Sequence, residues 1–297
     1  MLYRKLARTS KRSVNRGLET FWSLGFAALG RLRPPTAKRW SSKGGRRVLV
    51  VSPHPDDEAI GCGGTILLHR LAGDRLCIAI ATDGRRSRAL PDPAAMAAQR
   101  HREAQAAAKL LDVERLEWLG LPEGDCSPAD IQQALQALLR SLRPELVYAP
   151  SRIDFHPEHF KVAHALALAL AAERLTPTVR VYQIQVPLTA ATSNLVADVS
   201  DVAARSEQVL AAYTSQQGTV NATLRLRRYA ACLHGLRTHA EQFWEMTCSQ
   251  YVALHSSSPQ EWRGVFRGLR SFAATDLLAY LAGNAERERL RSCIGSA

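Results

Sequence analysis

Val48-Leu49-Val50-Val51-Ser52, followed directly by Pro53-His54-Pro55-Asp56-Asp57-Glu58, sets the reading of the whole chain. The first five residues are a short uncharged apolar run, as expected of a strand buried on both faces inside a parallel sheet. The chain then turns through two prolines into a dense group of acids around one histidine. The next apolar run, Leu76-Cys77-Ile78-Ala79-Ile80-Ala81, ends similarly at Thr82-Asp83-Gly84. Strand signals recur at Arg115–Leu119, Leu146–Ala149 and Val179–Val186. Helix patterns lie between them at Gly63–Leu71, Ala94–Leu111, Ile131–Leu142 and Pro157–Leu175. Strands alternating with helices imply βαβ units, so the expected fold is α/β, a Rossmann-like, mainly parallel sheet flanked by helices. After about residue 200 the pattern turns mostly helical, over Val202–Tyr213, Leu224–Thr247 and Gln260–Leu281.

The formal charge of +12 suggests nucleic acid until it is located. Residues 1–47 hold 13 Lys/Arg and one acid, Glu19, so that segment carries the entire excess; the remainder is balanced at 26 basic and 26 acidic residues. A groove tracking a phosphate backbone needs its charge in the globular part, so nucleic acid is not an expected partner. Pro34-Pro35 and Ser41-Ser42-Lys43-Gly44-Gly45 read as a linker. The expected organisation is a basic, partly apolar extension and linker over 1–45, a globular domain over 46–250, and a helical extension packed on it over 251–297.

Residues 21–30 are apolar over about half the ~20 residues that a membrane span needs, and Arg31-Leu32-Arg33-Pro34-Pro35 follows with no small-residue cleavage site. The extension therefore reads neither as a span nor as a signal peptide. Two readings stand open for it, a segment lying on an anionic membrane surface and a solvated tail. The six cysteines contain no Cys-x-x-Cys pair, which fits thiols in a reducing compartment. The expected location is the cytoplasm, either free or at the inner membrane surface. Oligomeric state is not legible.

The carboxyl ends of strands in a doubly wound sheet face the ligand crevice. His54, Asp56 and Asp57 follow the first strand there, and His156-Pro157-Glu158-His159 follows the fourth. Imidazole and carboxylate together suit zinc, and three protein ligands leaving a position for water mark a catalytic site. The same donor set also suits iron. Adjacent aspartates can point different ways, one to a metal and one to the attacking water. A polar turn capping the next helix accounts for the first group alone, since Asp and Pro are common there. Gly61-Cys62-Gly63-Gly64 lacks the spacing of a nucleotide-binding loop and reads instead as close packing behind the site. His164 lies five residues beyond the second group and is expected to face away.

These residues resemble the LmbE-like, or PIG-L, family of deacetylases. The family includes N-acetylglucosaminyl-phosphatidylinositol deacetylases and bacterial deacetylases of thiol-sugar precursors and antibiotics. The first family motif corresponds to residues 53–58 and the second to 156–159. Further matches appear in order at Thr82-Asp83-Gly84, Arg100-His101-Arg102-Glu103-Ala104, Ala212-Tyr213-Thr214-Ser215-Gln216 and Glu241-Gln242-Phe243. The resemblance covers about residues 46–245. The family usually has Asp where Glu158 stands, which bears on how the neighbouring histidine is held.

The resemblance implies zinc bound by His54, Asp57 and His159, with Asp56 as general base. It implies His156 as the group that stabilises the oxyanion or protonates the leaving amine, Arg100 as a substrate contact, and Glu58 and Glu158 as supports behind the ligands. The implied activity is hydrolysis of the acetamide of an N-acetylated amino sugar, small or lipid-linked. The alternative is an amidase of the same family acting on a larger acyl or thiol-conjugate amide.

Overall fold

In the computed structural model, which describes residues 2–154, 156–184, 186–256, 280 and 284–295, Val48–Ser52 lies within a central parallel strand, β2 (Arg47–Ser52). Its neighbours are β3 (Arg75–Thr82) and β5 (Leu146–Ala149), both parallel to it. Side chains alternate across the sheet. Leu49 and Val51 enter the core beneath α4 (Pro128–Leu142), α5 (Pro157–Ala172) and α8 (Cys248–His255). Val48 and Val50 enter the core beneath α2 (Asp57–Leu71), α3 (Pro93–Leu111) and α6 (Ala203–Ala212). Both faces are therefore covered, which is why β2 reads as an unbroken apolar run.

The remaining strands are β1 (Lys38–Arg39), β4 (Arg115–Leu121), β6 (Thr178–Tyr182), β7 (Leu195–Asp198) and β8 (Ala240–Met246). All eight form one sheet in the order β1-β7-β8-β6-β5-β2-β3-β4. β8 runs antiparallel to both its neighbours, β6 and β7, and the other pairings are parallel. The expected α/β sheet is present, with this one reversed strand.

Several boundaries differ from the sequence reading. α2 starts at Asp57, six residues before Gly63, and kinks at Cys62 (φ −151°, ψ 20°). The amides of Gly64 and Thr65 donate to the buried Glu241 carboxylate at 2.9 and 2.8 Å. A Cβ on Gly61 would collide with the Tyr182 ring and one on Gly64 with Val199, so the glycines do allow close packing behind the site. The helix expected over Leu224–Thr247 is instead α7 (Gln217–His234) followed by β8. Gly235, at φ 61°, takes the left-handed position that ends α7, and no side chain hinders it there. β7 was not expected at all.

The segment read as a linker contributes β1, whose Lys38 and Arg39 pair with Leu195 and Val196 of β7. Before it, α1 (Leu2–Leu32) docks on α7. Phe26 is buried and stacks on Tyr229 at 4.9 Å, with Trp22, Leu29 and Leu233 around them. Residues 257–279 lie outside the described residues, and with them nearly all of the helix expected over Gln260–Leu281. α9 (Asn284–Gly295) follows, and its buried Leu290 joins the core beneath α4, α5 and α8.

A candidate metal and catalytic centre

The loop after β2 and the start of α5 meet at the carboxyl edge of the sheet. His54 Nδ1 lies 3.1 Å from His159 Nε2 and 3.1 Å from Asp57 Oδ2, and His159 Nε2 lies 3.1 Å from the same Asp57 oxygen. The three donor atoms form a near-equilateral triangle. Ligands about 2.0–2.1 Å from a tetrahedral ion stand a little over 3 Å from one another, so the triangle has the size of one face of such a site. All three side chains are buried. The imidazoles of His54, His156 and His159 also approach one another, with ring nitrogens within 4.8 Å, but that group is looser.

Each of the two triangle histidines has its other ring nitrogen against a carboxylate. His159 Nδ1 lies 3.1 Å from Asp154 and His54 Nε2 lies 3.3 Å from Glu123. Such pairs fix the ring and raise its basicity as a ligand. Neither Asp154 nor Glu123 was singled out from the sequence. Both sit in loops at strand ends, after β5 and β4, where the strand-end rule points.

Asp56 stands beside the triangle with its backbone at φ 122°, far outside the region ordinary side chains adopt. Burial pushes its carboxyl up to about 7, with Arg100 pulling the other way and Asp57 adding repulsion. For Asp57, burial also acts upward, but His159 and His54 outweigh it and hold the carboxyl well below the usual range. Two adjacent aspartates are thus separated in character by their partners. His156 caps α5, its Nδ1 accepting the Glu158 amide at 3.3 Å. Burial, with His159 and His54 nearby, lowers His156 to about 4. With Nδ1 accepting that amide, the neutral ring carries its proton on Nε2.

The other expected residues divide. Arg100 is buried and lines the cleft, but its guanidinium donates to Asp56 Oδ1 at 2.7 Å and to the Pro55 carbonyl. It holds the Asp56 carboxylate while bordering the cleft. Glu58 accepts from Ser52 Oγ at 3.0 Å, from the Asp56 amide at 3.2 Å and from the Tyr213 hydroxyl, so it supports the strained turn that carries His54 and Asp57. Glu158 pairs with Lys161 at 3.0 Å, and Asp154 takes the place behind His159. His164 Nδ1 donates to the His255 carbonyl at 2.6 Å, and the ring faces away from the centre as expected.

A cleft of about 310 Å³ opens over these groups, bordered by His54, Asp56, Asp57, His156 and His159 below and by Arg86, Arg88 and Gln216 higher up. That is the lower end of the size range of small-molecule sites.

Residues 49–171, which contain both histidine clusters, match the PIG-L family described as GlcNAc-PI de-N-acetylase. Over that stretch the chain is similar to this family. The chain is 31% identical over 148 residues to a probable N-acetyl-alpha-D-glucosaminyl L-malate deacetylase 2 of Bacillus anthracis. That match covers 46% of the chain and 65% of the relative, so the chain spans somewhat less than two thirds of the relative's length. In fold, the chain resembles N,N'-diacetylchitobiose deacetylase of Pyrococcus horikoshii, with TM-score 0.61 at 22% identity, over 69% of this chain and 85% of that one. It also resembles GalB, a 4-carboxy-2-hydroxymuconate hydratase of Pseudomonas putida, with TM-score 0.59 at 20% identity, over 68% and 96%. The fold is thus shared with an enzyme of different chemistry, and the reaction has to be argued from the site.

Proposed function

We propose that the protein is a zinc-dependent N-deacetylase that hydrolyses the acetamide of an N-acetylglucosamine-type glycoside, releasing acetate and a free amine. The observation that carries this reading is the 3.1 Å triangle of His54, Asp57 and His159 at the floor of an open cleft, with a separate carboxylate beside it. Two imidazoles and one carboxylate suit zinc and leave a position open. When bound, the ion supplies Lewis acidity, which makes water a competent nucleophile near neutral pH and polarises the amide oxygen.

The chain's own residues supply the rest. Asp56 takes a proton from the attacking water and returns it to the departing nitrogen, a task for which a carboxyl near 7 is well matched. Arg100 fixes one Asp56 oxygen and so orients the base. His156 offers its Nε2–H to the oxygen that becomes negative, because its Nδ1 is occupied by the Glu158 amide.

The substrate class rests on likeness. The family description and the name of the Bacillus anthracis relative both specify a glycoside of N-acetylglucosamine. The experiment is an acetate-release screen over N-acetylglucosamine glycosides, with matched amides bearing larger acyl groups as the alternative. Acetate and free amine in equal amounts support deacetylation. Release from the larger amides alone transfers the reading to an amidase of the same site, and release from neither rejects both.

A second reading concerns α1, which we place on an anionic membrane surface. One face of this helix packs on α7, and the other leaves Leu18, Phe21, Leu24 and Leu32 exposed. These are four of the six large apolar side chains exposed among the described residues. The helix carries seven Lys/Arg against one acid, Glu19, about half of the chain's positive excess. Apolar surface and cationic charge on one helix match a headgroup layer rather than water alone. Among the described residues no helix is long and apolar enough to cross a membrane.

A further inference from the structure

The rim of the cleft differs in charge from its floor. At the floor every carboxylate is committed: Asp56 to Arg100, Asp57 to the two histidines, and Glu123 to His54. Above them runs the loop after β3, Asp83-Gly84-Arg85-Arg86-Ser87-Arg88. Arg86 and Arg88 border the cleft.

This loop is braced from both sides. On one side, the Asp83 amide donates to the Leu121 carbonyl at 3.0 Å, the Glu123 amide to Asp83 Oδ1 at 3.2 Å, and the Arg86 amide to Glu123 Oε2 at 2.8 Å. On the other, Gln216 Nε2 donates to Ser87 Oγ at 2.8 Å. Gln216 is held in turn, because Glu103 accepts from the Ser215 amide at 2.9 Å and from Thr214 Oγ1 at 2.7 Å. The Arg86 side chain lies across Gly124, where a Cβ would collide with its guanidinium. Gly124, at φ 83°, accommodates both the turn and this contact. The two arginines are therefore presented by a fixed loop.

Their charges are largely available. Arg88 is exposed and makes no ion pair among the described residues. Arg86 pairs with Asp125 at 3.2 Å, but both side chains are more than half exposed, and such a pair exchanges readily for a better partner. Guanidinium groups take carboxylate or phosphate oxygens in a bidentate geometry. Resting on the deacetylase reading for the orientation of the sugar, with its acetamide at the floor, we infer that Arg86 and Arg88 bind an anionic substituent, carboxylate or phosphate, carried by the amino-sugar substrate.

The test is calorimetric binding to the full-length, metal-loaded protein. The probes are N-acetylglucosamine 1-phosphate, N-acetylglucosamine 6-phosphate, the carboxymethyl glycoside of N-acetylglucosamine and its neutral methyl glycoside. At least one anionic probe should bind the wild type about tenfold or more tightly than the methyl glycoside, as expected for a charge-assisted bidentate contact. In the Arg86→Ala/Arg88→Ala variant that preference should fall to within about threefold. The position and kind of anion preferred distinguish a phosphate from a carboxylate. Equal binding of all four by the wild type overturns the inference, and so does a preference that survives loss of both arginines, since the metal itself would then be the anion's partner. Acetate release from the methyl glycoside is followed alongside. Its absence counts against the deacetylase reading, whereas the binding ratio reports on the arginines in either case.

Discussion

His54 Nδ1 and His159 Nε2 lie 3.1 Å apart although 105 positions separate them in the chain. Two lone-pair nitrogens held that close repel unless a proton or a cation lies between them. The Asp57 oxygen at 3.1 Å from each completes a negative third corner. The arrangement makes physical sense as the grip on a positive ion.

His156 lies outside the triangle. His156→Ala should keep stoichiometric metal and lose about 10²–10³ in kcat, as for removal of one oxyanion donor. His159→Ala should lose the metal itself. Metal analysis of both variants together with their turnover checks the division, and loss of metal in the first with retention in the second would reverse the two roles.

Asp56 acts only when ionised. Because burial raises its carboxyl to about 7, the deprotonated fraction grows as pH rises through that value, so kcat/KM should climb with pH and level off above about 7. A bound cation pulls in the same direction as Arg100 and moves this limb toward lower pH. Asp56→Asn should retain metal and fold while removing the limb along with nearly all activity. A pH–rate profile of the metal-loaded enzyme measures this, and an acidic limb unchanged in Asp56→Asn would remove it from the base role.

The backbone at Asp56, φ 122°, is suited to glycine alone. Asp56→Gly and Asp56→Ala both delete the carboxylate and leave Arg100 with the same lost partner. The glycine variant should nonetheless be more stable than the alanine variant by about 1 kcal/mol or more, since it relieves the strain. Denaturant unfolding of the two gives the difference directly, and equal stability would mean that the turn relaxes.

Asp154 and Glu123 lie outside the triangle, and each backs one of its histidines through the other ring nitrogen. Asp154→Asn should weaken metal affinity by about 10–100-fold without abolishing it, as is usual for a carboxylate behind a metal-binding imidazole. Competition with a chelator of known affinity reads the change; unchanged affinity would leave Asp154 a purely structural role.

The basic amino-terminal helix can be tested without cutting it away, which would uncover α7. Phe21→Asp/Leu24→Asp alters only its exposed face. The wild type should co-sediment with phosphatidylserine-rich vesicles at low salt, and the variant should do so several-fold less. Equal sedimentation of the two would detach the helix from any membrane role.

Much of this was legible in the sequence because it rests on local signals. An apolar run buried on both faces marks β2, and a His-Asp-Asp group at its end marks the crevice. The parts that were not legible depend on pairing across the sheet. β1 is two residues long and exists only through β7, and β8 alternates too weakly to stand out from the helix before it. Gly235 was the available sign that α7 stops. Asp154 and Glu123 are single acids in loops with no spacing of their own, and they acquire meaning only when the fold carries them to His159 and His54. Glu158 shows the converse: its motif position suggested a role behind a histidine, whereas its side chain reaches Lys161.

The most direct test of the central claim is an anomalous-difference map at the zinc edge from crystals of the metal-loaded protein. The predicted result is one strong peak about 2.0–2.2 Å from each of His54 Nδ1, Asp57 Oδ2 and His159 Nε2. A peak held by His54, His156 and His159 with Asp57 turned away, or no peak at this site in metal-replete crystals, would contradict it.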